Sequence, residues 1–276
     1  MDRRALAAIA ATGAALGVGW STLVEPRRLR VREVSLRVRG WPPVLADLRV
    51  ALVADLHAGA PHVDERRVAS VVAAVNRARP DLVALLGDYI DPTVALGERV
   101  EPEAVAERLG RLSAPLGVFA VLGNHDWLND GERVRHALRS AGIEVLENDA
   151  AQVRLGGQVI WLVGLADAAQ RLPDLSTPFG MVPENAPLIV LTHSPEVFPL
   201  LPDRPLLALA GHTHGGQVNV PLVRERVLEQ AESGERYAGG HFEDGHRVMY
   251  VSRGIGTSTV PVRFRAVPEV VIASVR

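Results

Sequence analysis

Leu206-Leu207-Ala208-Leu209-Ala210-Gly211-His212-Thr213-His214-Gly215-Gly216-Gln217 carries an apolar run of strand length into a burst of glycine and histidine. Five consecutive apolar residues without in–out alternation suit a strand covered on both faces. The glycines at its end allow a tight turn. Two imidazoles one residue apart, where the backbone leaves the strand, can both serve as metal ligands. A His-x-His pair also occurs on solvated loops, so its meaning depends on partners elsewhere in the chain.

The same pattern occurs four more times. Arg49-Val50-Ala51-Leu52-Val53-Ala54 ends in Asp55-Leu56-His57, and Leu82-Val83-Ala84-Leu85-Leu86 ends in Gly87-Asp88-Tyr89-Ile90-Asp91. Val118-Phe119-Ala120-Val121-Leu122 runs into Gly123-Asn124-His125-Asp126, and Leu188-Ile189-Val190-Leu191-Thr192 delivers His193-Ser194-Pro195. Helical patterns separate them. Over residues 63–78, Val68, Val71, Val72 and Val75 share one face, Asp64 and Glu65 fall in the first turn, and Pro80 lies just beyond. Residues 101–112 and 130–141 read similarly. Strand–helix alternation of this kind predicts an α/β fold, in which ligands collect at the carboxyl ends of the strands, where all five polar motifs fall. Further on, Gly156-Gly157 reads as a hairpin turn between strands at 151–155 and 159–164. Residues 166–186 read as a proline-broken surface excursion. Two late strands are expected at 246–252 and 267–274.

Composition narrows the function classes. The chain of 276 residues has a net charge of −2, so no overall basic field argues for nucleic acid. The absence of cysteine removes disulfides, thiolate-bound zinc and thiol nucleophiles together. Residues 5–24 carry no charge and follow Arg3 and Arg4, which predicts a signal or membrane-anchor segment over residues 1–29 and one domain over 30–276. The expected location is exported and tethered to the membrane. Arg27, Arg28, Arg30 and Arg32, just after the apolar run, pull towards a cytoplasmic domain by the positive-inside rule. The arginines of residues 27–39 otherwise read as a solvated face or a lipid-headgroup contact.

The motifs supply seven candidate metal ligands: Asp55, His57, Asp88, Asn124, His193, His212 and His214. In Asp55-Leu56-His57 the i, i+2 spacing turns both side chains to one side of an extended backbone. A carboxylate such as Asp88 can bridge two cations, and Asn124 adds a neutral oxygen. A nitrogen–oxygen set without sulfur fits Mn, Fe, Zn, Ni or Co better than Mg or Ca. Seven side chains exceed what one tetrahedral zinc uses, so two divalent ions account for them better. Two such ions roughly 3.5–4 Å apart activate water and stabilise charge on phosphorus-bound oxygens. The expected reaction is in-line attack of a metal-bridging hydroxide on phosphorus. His125 is the expected general acid for the leaving oxygen, with Asp126 orienting or charge-stabilising its ring. His62, His136, His241 and His246 lie outside the motifs and read as solvated or capping residues. Tyr89 reads as a packing residue, and Phe179 and Met181 as loop anchors.

In this order, Asp-x-His, Gly-Asp-x-x-Asp, Gly-Asn-His-Asp, a lone His and Gly-His-Thr-His resemble the calcineurin-like metallophosphoesterase superfamily. Gln217, Arg253-Gly254-Ile255-Gly256-Thr257-Ser258 and Arg263-Phe264 are similar to a bacterial branch of membrane-linked phosphohydrolases, akin to enzymes acting on UDP-diacylglucosamine. The resemblance implies a four-layer αββα sandwich of two mixed β-sheets flanked by helices. It implies one metal on Asp55, His57, Asp88 and His214, and a second on Asp88, Asn124, His193 and His212, with Asp91, Tyr89 and Asp126 behind the ligands or facing the substrate. The expected substrate is a small-molecule or lipid phosphoester (phosphodiester, pyrophosphate or phosphomonoester). The alternatives are a non-catalytic metal-binding scaffold, disfavoured because no ligand position is missing, and a nuclease. The oligomeric state is left open.

Overall fold

The computed structural model describes residues 2–91, 96–220 and 237–276. Among these residues, twelve strands form two six-stranded sheets. Strands β1 (Arg30–Leu36), β2 (Leu48–Val53), β3 (Leu82–Leu86), β4 (Val118–Val121), β5 (Glu144–Val145) and β12 (Glu269–Val275) make the first, in the order β1-β12-β2-β3-β4-β5. Strands β6 (Asp149–Leu155), β7 (Gln158–Gly164), β8 (Leu188–Leu191), β9 (Leu206–Ala210), β10 (Gly240–Asp244) and β11 (Arg247–Val251) make the second, in the order β10-β11-β9-β8-β7-β6. Both sheets are mixed. In the first only β12 against β2 is antiparallel; in the second the outer pairs β10–β11 and β6–β7 are antiparallel.

Side-chain alternation sorts the continuous apolar runs into layers. From β2, Val50 and Leu52 enter the core between the sheets, while Ala51 and Val53 enter the core under the helices. From β9, Leu207 and Leu209 join the intersheet core, and Leu206, Ala208 and Ala210 line the outer face of the second sheet. Helices α2 (Glu65–Ala78), α3 (Pro102–Leu109) and α4 (Asn124–Ser140) link successive neighbours of the first sheet and cover its outer face. The short α5 (Ser176–Gly180) and the 3₁₀ turn Pro195–Leu200 cover the second. Two mixed sheets flanked by helices are the architecture the resemblance implied.

Boundaries shift where caps decide them. Asp64 accepts from Arg67 N at 2.7 Å and starts α2 two residues later than its apolar pattern suggests. Gly156 and Gly157 both take positive φ (57° and 78°), as a two-residue hairpin between β6 and β7 requires. Residues 30–36, read from sequence as part of an arginine-rich solvated stretch, form edge strand β1, in which Arg32 pairs with buried Glu269 at 2.7 Å. Helix α4 begins at Asn124, six residues before the expected start. Asp130 interrupts it with a non-helical backbone (φ −172°, ψ 84°).

Outside the sandwich, α1 (Arg3–Gly19) continues through a π-helical turn at Trp20–Val24 and a 3₁₀ turn at Glu25–Arg27. The run Arg3–Arg27 is long and apolar enough to cross a membrane, and most of it is exposed.

Candidate metal centre

The ligand candidates sit where β2, β3, β8 and β9 end and α4 begins. Loop backbones bind one another there: Asp55 N donates to Gly87 O, His57 N to Asp88 O and Gly211 N to His193 O. Asp55, His57, Asp88, His212 and His214 all take left-handed φ, between 46° and 73°. Non-glycine residues pay about 1–3 kcal/mol for such a conformation, which persists where the surrounding structure enforces it, typically at functional sites. Gly123 lets two loops meet, since a Cβ there would press on Asp88 Oδ1 and approach His193 Cε1 to 2.8 Å.

All seven side chains converge, in two groups. In one, His57 Nε2 lies 2.9 Å from His214 Nε2, and His214 Nε2 lies 3.8 Å from Asp55 Oδ1. In the other, Asn124 Oδ1, His193 Nε2 and His212 Nδ1 form a triangle with edges of 3.0, 3.1 and 3.2 Å. Asp88 stands between the groups, its Oδ2 3.5 Å from His57 Nε2 and 3.2 Å from His193 Nε2.

Neighbouring groups fix which atoms face inward. His193 Nδ1 donates to Leu86 O at 2.7 Å, which turns its Nε2 towards the triangle. His57 Nδ1 donates to Asp91 Oδ2 at 3.0 Å, with the same effect on its Nε2. Each carboxylate has one oxygen tied to a backbone amide: Asp55 Oδ1 accepts from His212 N and Asp88 Oδ1 from His125 N, both at 2.9 Å. The other oxygen of Asp55, Oδ2, is buried without a hydrogen-bond partner. A buried, unsatisfied carboxylate oxygen beside inward-facing imidazole nitrogens is a cost that divalent cations would remove. The donor set therefore fits metal.

Electrostatics set the charge states. Burial works to raise Asp88, but the imidazoles of His193 and His57 prevail and hold its pKa well below the usual carboxylate range. Burial and the neighbouring His193 push His212 down to about 4. Burial, His57 and the guanidinium of Arg263 keep His214 low as well. Both rings are then neutral near pH 7, the form that binds a cation.

His125 points a ring nitrogen into the same space, within 4.8 Å of the ligand atoms of His57 and Asp88. Its Nε2 lies 3.4 Å from Ser258 Oγ, and its Nδ1 lies 3.2 Å from Asp91 Oδ2. Burial opposes protonation of His125, yet the contact with Asp91 and the charge of Asp88 win, so its pKa is raised. Asp126 does something other than orient that ring. Its carboxylate is buried and accepts from the amides of Asp88, Tyr89 and Gly123 at 2.8–2.9 Å, pinning the β3 loop to the start of α4. Burial, and secondarily the charge of Asp88, raises Asp126 to about 7.

The sequence gives Arg263 and Ser258 no role at the site. Arg263 is fully buried, donates to Gly256 O and Ala266 O at 2.7 and 2.8 Å, and places Nη2 3.2 Å from His214 Nδ1. The Arg263-Phe264 pair belongs to the branch pattern, but nothing in it ties this arginine to a histidine 49 residues earlier. Asp91 was within reach of the Gly-Asp-x-x-Asp spacing. Tyr89 is a core residue whose hydroxyl donates to Val121 O at 2.8 Å. Phe179 packs on the outer core of the second sheet, while Met181 is exposed.

Over residues 48–216 the sequence matches the calcineurin-like phosphoesterase family. It is 33% identical to phosphodiesterase YaeI of Escherichia coli over 97% of this chain and 96% of that protein. It is 25% identical to the UDP-2,3-diacylglucosamine pyrophosphatase LpxG of Chlamydia trachomatis over 91% of this chain and 90% of that protein. Among solved structures, the NAD nucleotidase NadN of Haemophilus influenzae is similar in fold, with a TM-score of 0.50 at 17% identity, covering 75% of this chain and 45% of that one.

Proposed function

The chain belongs to the calcineurin-like phosphoesterase family and is a hydrolase of phosphoric esters, and from that premise we propose a dinuclear metal-dependent enzyme acting on a membrane-held phosphoester. One cation would take Asp55, His57, Asp88 and His214. The other would take Asp88, Asn124, His193 and His212. The observation that carries this reading is the position of Asp88 Oδ2 between His57 Nε2 and His193 Nε2, at 3.5 and 3.2 Å. Two divalent ions bound there, of the Mn, Fe, Zn, Ni or Co type, would supply an activated water and offset charge on the phosphoryl oxygens.

The chain's own residues do the rest. His125, kept protonated by the contact of its Nδ1 with Asp91 at 3.2 Å, would protonate the leaving oxygen from its other ring nitrogen. Asp126 fixes the loop that carries Asp88 and so acts as a positioning residue. Arg263 sets its charge beside His214 and favours the neutral ring. Residues 1–29 act as a membrane anchor for a catalytic domain over 30–276, on the exported side. A lipid or nucleotide-lipid phosphoester agrees with that anchor and with the lipid-linked substrate in the name of LpxG.

A purified chain loaded with divalent ions should hydrolyse a chromogenic phosphodiester, and Asp88→Ala should abolish both turnover and metal retention. Full activity in Asp88→Ala would remove the mechanism. Full metal loading of the native chain without turnover on any phosphoester would favour the scaffold reading instead.

A further inference from the structure

The apolar helix ends on the domain rather than beside it. Ser21 and Glu25 are buried (8% and 3% exposed) although the helix before them is not. Ser21 O accepts from Arg263 N at 2.9 Å, and Glu25 Oε1 accepts from Ala266 N at 2.8 Å. Glu25 Oε2 takes the indole N–H of Trp20 at 2.8 Å. Arg67, from α2, donates to Arg27 O at 3.0 Å and to Pro26 O at 3.4 Å. These contacts order the foot of the helix against α2 and the loop that runs from Gly256 to Ala266.

That loop has a second face, and it looks into the metal centre. Ser258 Oγ meets His125 Nε2, Ser258 O and Val260 O accept from Gln217 Nε2, and Arg263 reaches His214. One short segment therefore touches the helix foot on one side and the site on the other. Val260 of this loop is 49% exposed, and in the foot the apolar side chains of Leu23 (59%) and Val24 (40%) are exposed as well. Around the foot, Arg27, Arg28 and Arg66 are exposed, and Arg28 stacks over Trp20 at 5.5 Å. An apolar helix, an exposed apolar loop residue and a collar of guanidinium groups complement an anionic bilayer: acyl chains for the first two, headgroup phosphates for the third.

We propose that this face lies on an anionic bilayer, with the helix embedded, Val260 at the acyl boundary and the metal cleft opening against the headgroups. The docked foot holds the cleft at a fixed height, so a phosphoester still seated in the membrane reaches His125 without desorbing. This rests on the metal-centre reading above, but its test does not read turnover.

The chain has no cysteine, so single cysteines report unambiguously. Val260→Cys, Leu16→Cys and Asn185→Cys would each be labelled with an environment-sensitive fluorophore. Asn185 is exposed and precedes β8, at the sheet end opposite the site. The full chain would be reconstituted in phosphatidylcholine–phosphatidylglycerol vesicles carrying brominated acyl chains. The expected result is quenching at Leu16 and at Val260, with none at Asn185. Quenching at Leu16 alone would mean an inserted anchor with the cleft turned away, and would overturn the inference. So would equal quenching at Val260 and Asn185, or none at Leu16. A chain that hydrolyses nothing yet shows the expected pattern would keep this inference and lose the functional one.

Discussion

Asp91 Oδ2 lies 3.2 Å from His125 Nδ1, although 34 residues separate the two in sequence, while Asp126, the next residue after His125, turns away to bind three backbone amides. Successive side chains on a helix diverge, and Asn124 begins one. The same oxygen of Asp91 also takes His57 Nδ1 at 3.0 Å, so one carboxylate positions a proposed ligand and a proposed acid.

Asp91→Asn should therefore injure both. Loss of such an orienting partner lowers metal affinity or activity about 10–100-fold. His125→Ala, by contrast, should slow turnover by roughly 10²–10⁴-fold with metal content intact. Kinetics paired with metal analysis on the two variants separates the roles; metal loss in His125→Ala would make that ring a ligand.

Gly123→Ala tests the close approach of two loops. The added methyl would meet Asp88 Oδ1 and His193 Cε1, both buried. Overpacking of this kind costs about 1–3 kcal/mol. The expected outcome is a lower melting temperature together with weakened metal retention. An unchanged metal content would mean that Asp88 has room to move.

His212→Gly separates function from strain. His212 holds φ 73°, which glycine adopts freely. The metal-free variant should match or exceed the metal-free native chain in thermal stability, while losing the ability to retain the second ion. A marked fall in metal-free stability would show that the imidazole packs the fold rather than serving a cation.

Glu25→Ala tests the helix foot. The change leaves the buried Ala266 amide without an acceptor, and an unsatisfied buried donor costs about 1–3 kcal/mol. Denaturant unfolding of the full chain should register that loss. No change in midpoint would mean that residues 21–27 are not held by the domain in solution.

How much the sequence discloses depends on how local the physics is. The runs at β2, β3, β8 and β9 are legible because strands buried on both faces must be apolar throughout, and the polar residues that end them stand out. Strand β1, Arg-Val-Arg-Glu-Val-Ser-Leu, is an edge with mostly exposed or half-buried side chains, and charge there hides it. Its pairing with β12, and the insertion of β12 between β1 and β2, join segments over two hundred residues apart that no spacing rule connects. At the site, ligand residue types were readable because they cluster after strands. Of the partners around them, Asp91 is suggested by the Gly-Asp-x-x-Asp spacing but its pairing with His125 is not, and Arg263 reaches His214 from a late loop.

The central claim is that Asp88 is shared by two cations, and metal stoichiometry tests it most directly. The native chain, stripped with chelator, reloaded with manganese and freed of excess ion, should hold two ions per chain by elemental analysis. Asp88→Ala should hold fewer than one. A native chain that saturates at a single ion, or an Asp88→Ala chain that still holds two, would contradict the account.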